Sequence, residues 1–123
     1  MRATHYAIAL AEKFSAFIDA VYVIDGDQSK TEVLHHAEKE TLEKLRRKKI
    51  SDVVQLLENA SINYHTHILH GEAAPTILTF AEEHQVDCIV IGSRGLNQLQ
   101  TFLLGSVSHK VAKRAKCPVL IVK

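Results

Sequence analysis

Gly92 and Gly95 close a short apolar run, Cys88 to Ile91, and further along the chain Gly105 and Ser106 open a stretch that continues with Val107 and Ser108. Residues of these types at this spacing suit the holding of phosphate. A glycine lacks Cβ, so a ligand can approach its main chain closely and the backbone can take conformations other residues avoid. At the mouth of a helix the first N–H groups are free and the helix dipole favours an anion. Ser106 and Ser108 add hydroxyl donors. The same residues also suit a plain loop and helix cap, and spacing alone does not separate the two. The stretch lacks the Lys of G-x-x-x-x-G-K-[ST], and it is not G-x-G-x-x-G.

The elements that must position these glycines follow from periodicity. Residues 2–14 carry apolar residues at helical spacing, among them Tyr6, Leu10 and Phe14. Phe17 to Ile24 is β-branched and apolar enough for a strand, ended by Asp25, Gly26 and Asp27. A helix opened by Ser29 or Thr31 runs to Asn59 with Leu34, Leu42, Leu45 and Leu57 inward, and its charged middle, Glu38 to Lys49, forms a solvated face. Ile62 to Leu69 alternates, as an edge strand does. Ala74 to His84 predicts a short helix, Cys88 to Ile91 a buried strand, Ser106 to Ala115 a helix and Pro118 to Val122 a final strand. Strands alternating with helices imply a parallel sheet with helices on both faces. In such sheets ligands bind beyond the C-terminal strand ends, which is where the glycine loop lies.

The pattern G-x2-G-x9-G-S, preceded by the strand from Asp87 to Ile91 and followed by Cys117 to Val122, resembles the universal stress protein family in its ATP-binding branch. The likeness extends through Gly71 to Pro75 and back to Val21 to Asp25, and so covers nearly the whole chain. The resemblance implies an α/β fold, Rossmann-like with flavodoxin-like order, in one nucleotide-binding domain over residues 1–123. It assigns Gly92, Arg94 and Gly95 to the ribose and phosphate side. It gives the phosphates to Gly105, Ser106, Val107 and Ser108, and an adenine contact to Val23. ATP would bring Mg2+ or Mn2+, bridged mainly by phosphate oxygens. A regulatory, stress-response role follows, in which nucleotide occupancy orders the loop and changes the surface shown to a partner. The family also implies a homodimer through the final strand, Pro118 to Val122, whose apolar edge benefits from cover.

One departure from the family stands out. Its members open with a central strand ending in a carboxylate that contacts adenine, whereas this sequence opens in the helix that follows, and no residue here corresponds to that carboxylate. Either the recorded start is internal, the favoured reading because the helix begins without an N-cap, or the chain is short. A short chain would leave two strands with unpaired edges unless they close up or borrow a strand.

The remaining chemistry is sparse. With a formal net charge of +1, no electrostatic pull toward nucleic acid or an anionic membrane is expected. No apolar run reaches the roughly 18 residues of a spanning helix. Cys88 and Cys117 are expected to be buried, inert thiols in a cytoplasmic protein. His65 and His67 share one strand face, and surface imidazoles are favoured over a metal site there. The glycine loop contains no Asp or Glu, so catalysis lacks its base, and an enzyme is not expected. Two other readings remain open. One is a nucleotide-independent dimeric scaffold; the other is a slow ATPase.

Overall fold

The structure, a computed structural model, describes residues 2–25, 36–93 and 105–123. In chain order it contains α1 (Arg2–Phe14), β1 (Ile18–Ile24), α2 (His36–Asn59), β2 (Tyr64–His70), α3 (Ala73–Glu83), β3 (Ile89–Gly92), α4 (Ser106–Arg114) and β4 (Val119–Val122). Every expected element is present, and the fold is α/β with parallel strands. The capping residues Ser29 and Thr31, and the inward Leu34, lie outside the described residues.

The strands form two ladders rather than one continuous sheet. β1 pairs in parallel with β2 from Ile18↔Tyr64 to Ile24↔His70. β3 pairs in parallel with β4 from Ile89↔Val119 to Gly92↔Val122. Among the described residues no strand joins β1 to β3. Among the described residues β1 and β3 are not hydrogen-bonded to each other. Helices hold the ladders together instead. α1 packs on β1, β3, β4 and α2, while α3 packs on β1 and α4, and α4 on β4.

Burial refines the helical stripes. Ala11 is the buried residue of α1, while Tyr6 and Phe14, expected inward, are exposed. Phe14 is the last residue of its helix. In α2 Leu57 is fully buried, whereas Leu45, in the charged middle of the helix, is exposed. That middle carries the exposed i,i+4 pairs Arg47–Glu43 and Lys48–Asp52, as a solvated face should. The buried apolar side chains Ala74, Phe80, Val111 and Val122 complete a small core between α3, α4 and β4.

Three helices end with the same device. Ser15, Ser61 and Gln85 take positive φ, and the next residue's N–H bonds back five residues: Ala16 to Ala11 O, Ile62 to Leu57 O and Val86 to Ala81 O. This closes each helix with a left-handed turn that usually carries glycine. None of the three sites is glycine, so composition gave no sign of it.

Candidate functional site

β3 delivers Gly92 to the C-terminal end of its ladder, and the next residue, Ser93, anchors the site. The Ser93 N–H donates to Val122 O at 2.8 Å, extending the ladder one step beyond β3. Its carbonyl then accepts the Gly105 N–H at 2.6 Å and the Ser108 hydroxyl at 2.8 Å. The Ser108 hydroxyl also lies 3.0 Å from Gly105 O. Ser93 and Ser108 are the buried polar residues among those described. Two ends of the chain, at 93 and 105, are thus fastened together at the tip of β3.

This geometry changes the role of Ser108. Its hydroxyl, expected to donate to a phosphate, is directed to the main chain and is shielded from solvent. It positions the helix start instead. Ser106 differs: it is exposed at the first position of α4.

Gly105 is the N-cap of α4, in extended conformation and without a side-chain capping bond. The first intrahelical hydrogen bond is His109 N–H to Gly105 O at 3.0 Å. The N–H groups of Ser106, Val107 and Ser108 therefore precede the intrahelical ladder. No acidic residue occupies the first turn, and Lys113 and Arg114 sit in the last, so side-chain charge and helix dipole act in the same sense. Such an end can accept an oxyanion. His109 and Lys110 are exposed beside it.

Of the other expected residues, Val23 lies half-buried near the C-terminal end of β1, opposite Leu69. It belongs to the other ladder, and no hydrogen bond links the strand of Val23 to that of Gly92. Arg94 and Gly95 lie outside the described residues.

The histidines and cysteines follow a different course. His67 on β2 bonds Asp19 on β1 at 2.9 Å, and its ring meets the edge of Phe80 at 4.6 Å. His84 stacks on Phe80, 3.8 Å away, and meets His67 edge-on at 5.8 Å, so the three rings touch one another. His67 is therefore a packed cross-strand partner rather than a surface imidazole, whereas His65 is exposed. Among the described residues no group of three or more His, Cys, Asp or Glu is placed to hold a metal ion. Cys88, expected to be buried, is exposed, because it precedes β3 rather than lying within it. Cys117 is half-buried, and both thiols are free. Burial pushes the Cys117 thiol up, and Cys88 adds to the shift.

No helix among the described residues is long and apolar enough to cross a membrane.

Comparison with known proteins agrees with these elements. The sequence profile of the universal stress protein family matches residues 1–123. Universal stress protein MJ0531 of Methanocaldococcus jannaschii is 35% identical over 134 aligned positions, covering all of this chain and 74% of the relative. Universal stress protein MJ0577 of the same organism is 31% identical over 100 positions, covering 81% of this chain and 62% of its own length. The solved structure of MJ0577 superposes with a TM-score of 0.78 at 29% identity, over 98% of this chain and 85% of that one. A universal stress protein solved in complex with cAMP has a TM-score of 0.63 at 20% identity, a likeness of fold.

Proposed function

Because the chain belongs to the universal stress protein family, we propose that it is an ATP-binding regulatory protein of the stress response. The observation that carries this reading is the start of α4, where the Ser106, Val107 and Ser108 N–H groups stand free of helical bonds beside the Ser93–Gly105 junction. The phosphates sit on those N–H groups, with the exposed Ser106 hydroxyl as a further donor. Gly92 and Gly105 let the main chain approach them closely. Arg94 and Gly95 supply the ribose side and Val23 an adenine contact, as the family resemblance implies. The first turn of α4 carries no carboxylate, so Mg2+ or Mn2+ rides on the phosphate oxygens.

The role is binding rather than efficient turnover, since no acidic base stands at the helix start. Occupancy joins the two ends fastened at Ser93 and alters the surface offered to a partner. The outer edge of β4, where Leu120 is 37% exposed, is the face through which two copies associate. Two free thiols suit a cytoplasmic setting.

The test is the nucleotide content of the purified protein, by denaturation, ion exchange and mass spectrometry, followed by calorimetric titration with Mg-ATP. Near-stoichiometric adenine nucleotide, lost in Gly105→Val, is the expected result. An empty protein that gives no heat with Mg-ATP overturns it. The separation of Val23 from Gly92 into different ladders favours a second reading, a dimeric scaffold that works without nucleotide, and that outcome would leave it standing.

A further inference from the structure

We propose that the groove between β2 and α3 is a binding site for a single Zn2+ ion, held by His67 Nδ1 and His84 Nε2. The hydrogen bonds already made decide which ring nitrogens are available. His67 Nε2 lies 2.9 Å from Asp19 Oδ1, and His84 Nδ1 lies 3.0 Å from Phe80 O. A carboxylate and a carbonyl only accept, so these two nitrogens carry the protons. In the neutral rings the opposite nitrogens, His67 Nδ1 and His84 Nε2, are bare acceptors, the form in which imidazole binds a metal. Each ring thus spends its N–H on a carboxylate or a main-chain carbonyl. Such outer partners fix the tautomer and orientation of metal-binding histidines and raise their basicity.

The two rings also stand at a suitable separation. Zn2+ binds an imidazole nitrogen at about 2.0 Å, which puts the ion about 3.2 Å from the ring centre. Two rings sharing one ion at a tetrahedral angle are therefore about 5.2 Å apart. The centres of His67 and His84 are 5.8 Å apart. That spacing opens the N–Zn–N angle to about 130°, which Zn2+ tolerates because its filled d shell imposes no preferred geometry. Phe80 sets the spacing. His84 stacks on it at 3.8 Å while His67 meets it at 4.6 Å, so one buried side chain braces both rings.

The surroundings favour a cation. His84 is the C-cap of α3, at the negative end of the helix dipole, and no basic residue occupies the last turn. The Asp19 carboxylate behind His67 is only 15% exposed, so water and salt screen its charge poorly. His70 and Glu83 line the same groove. Neighbouring Glu82 is committed to Lys116 at 2.8 Å, whereas the exposed Glu83 has no ion pair among the described residues. Among those residues no third donor already stands with the two rings, so water and a turn of the Glu83 side chain complete the shell. Two fixed protein ligands in place of four give an exchangeable ion, with a Kd on the order of micromolar, rather than a permanent structural centre. None of these residues belongs to the start of α4, and the inference stands apart from nucleotide binding.

The test is long-range 1H–15N NMR of the imidazoles in nucleotide-free protein during titration with Zn2+, alongside calorimetry. Without metal, His67 is expected as the Nε2–H tautomer and His84 as the Nδ1–H tautomer. One equivalent of Zn2+ should shift His67 Nδ1 and His84 Nε2 and leave His65 and His109 unchanged. Asp19→Asn, which keeps the shape of the outer partner and removes its charge, should weaken this equivalent by about 10-fold, and His84→Ala by about 10-fold or more. His65→Ala should not change it. His84 is exposed, so its replacement leaves the core intact and separates lost binding from lost folding. Four results would overturn the proposal. Calorimetry could find no such equivalent, or the equivalent could survive His84→Ala. Zn2+ could shift all eight imidazoles alike, the mark of adventitious binding, or His84 could rest as the Nε2–H tautomer. Nucleotide binding can fail with these results unchanged, so the two proposals are separately exposed.

Discussion

The two ladders solve the same problem in different ways. β1–β2 runs for seven registered pairs and ends where the Gly71 N–H meets Ile24 O. β3–β4 runs for only four and continues through Ser93, whose carbonyl takes both the Gly105 N–H and the Ser108 hydroxyl. The long ladder relies on its length and on a polar cross-strand lock between His67 and Asp19. The short ladder relies on what closes over its tip. The proposed phosphate site is built on that closure, so in the short ladder the hydrogen bonds that stabilise the strands also shape the site. In the long ladder the two are separate.

Gly71→Val should be the most damaging change to the long ladder. Gly71 has φ +143°, and a Cβ there would stand 2.7 Å from Thr76 Oγ1. Strain of about 2–3 kcal/mol is expected from that conformation, read as a lower denaturation midpoint with nucleotide affinity per folded molecule retained. Ser108→Ala attacks the short ladder. It removes one donor from a buried carbonyl that keeps the other, at about 1–2 kcal/mol. It should weaken nucleotide binding as well, so affinity and stability measured together distinguish the two ladders. Equal loss of affinity in both variants would erase the contrast.

Smaller changes sharpen it. Asp19→Ala and His67→Ala should each destabilise by about 1 kcal/mol, with a double-mutant coupling of similar size, and leave nucleotide affinity alone. Replacing Ser15, Ser61 or Gln85 with Gly should stabilise by about 0.5–1 kcal/mol each, since the helix exits then adopt positive φ without strain. A thiol reagent at mildly alkaline pH should modify the exposed Cys88 before Cys117. Cys117 should catch up as pH rises, because burial holds its proton.

Much of this was legible from residue types. β-Branched runs marked the strands, and a charged middle marked the solvated face of α2. Glycine spacing marked the tip of β3. What escaped has a common cause, namely that main-chain chemistry leaves no side-chain signature. The hub at Ser93 works through its N–H and carbonyl, which any residue possesses. The left-handed exits at Ser15, Ser61 and Gln85 are made by hydrogen bonds that override local preference. Ser108 was found as a hydroxyl donor, but the direction of that hydroxyl depends on a carbonyl brought from fifteen residues upstream. His67 acquires its partner across the strand pair from a position 48 residues away, a separation that pattern reading does not bridge.

Fastening residue 93 to residue 105 has a corollary for chain length. The segment between them begins and ends at one hydrogen bond, so its two ends meet whatever lies between. Closing a flexible segment costs little more as it lengthens, about 0.6 kcal/mol for each doubling. A change in the number of residues between these anchors should therefore cost little stability, while the strand tip and the helix start keep their register.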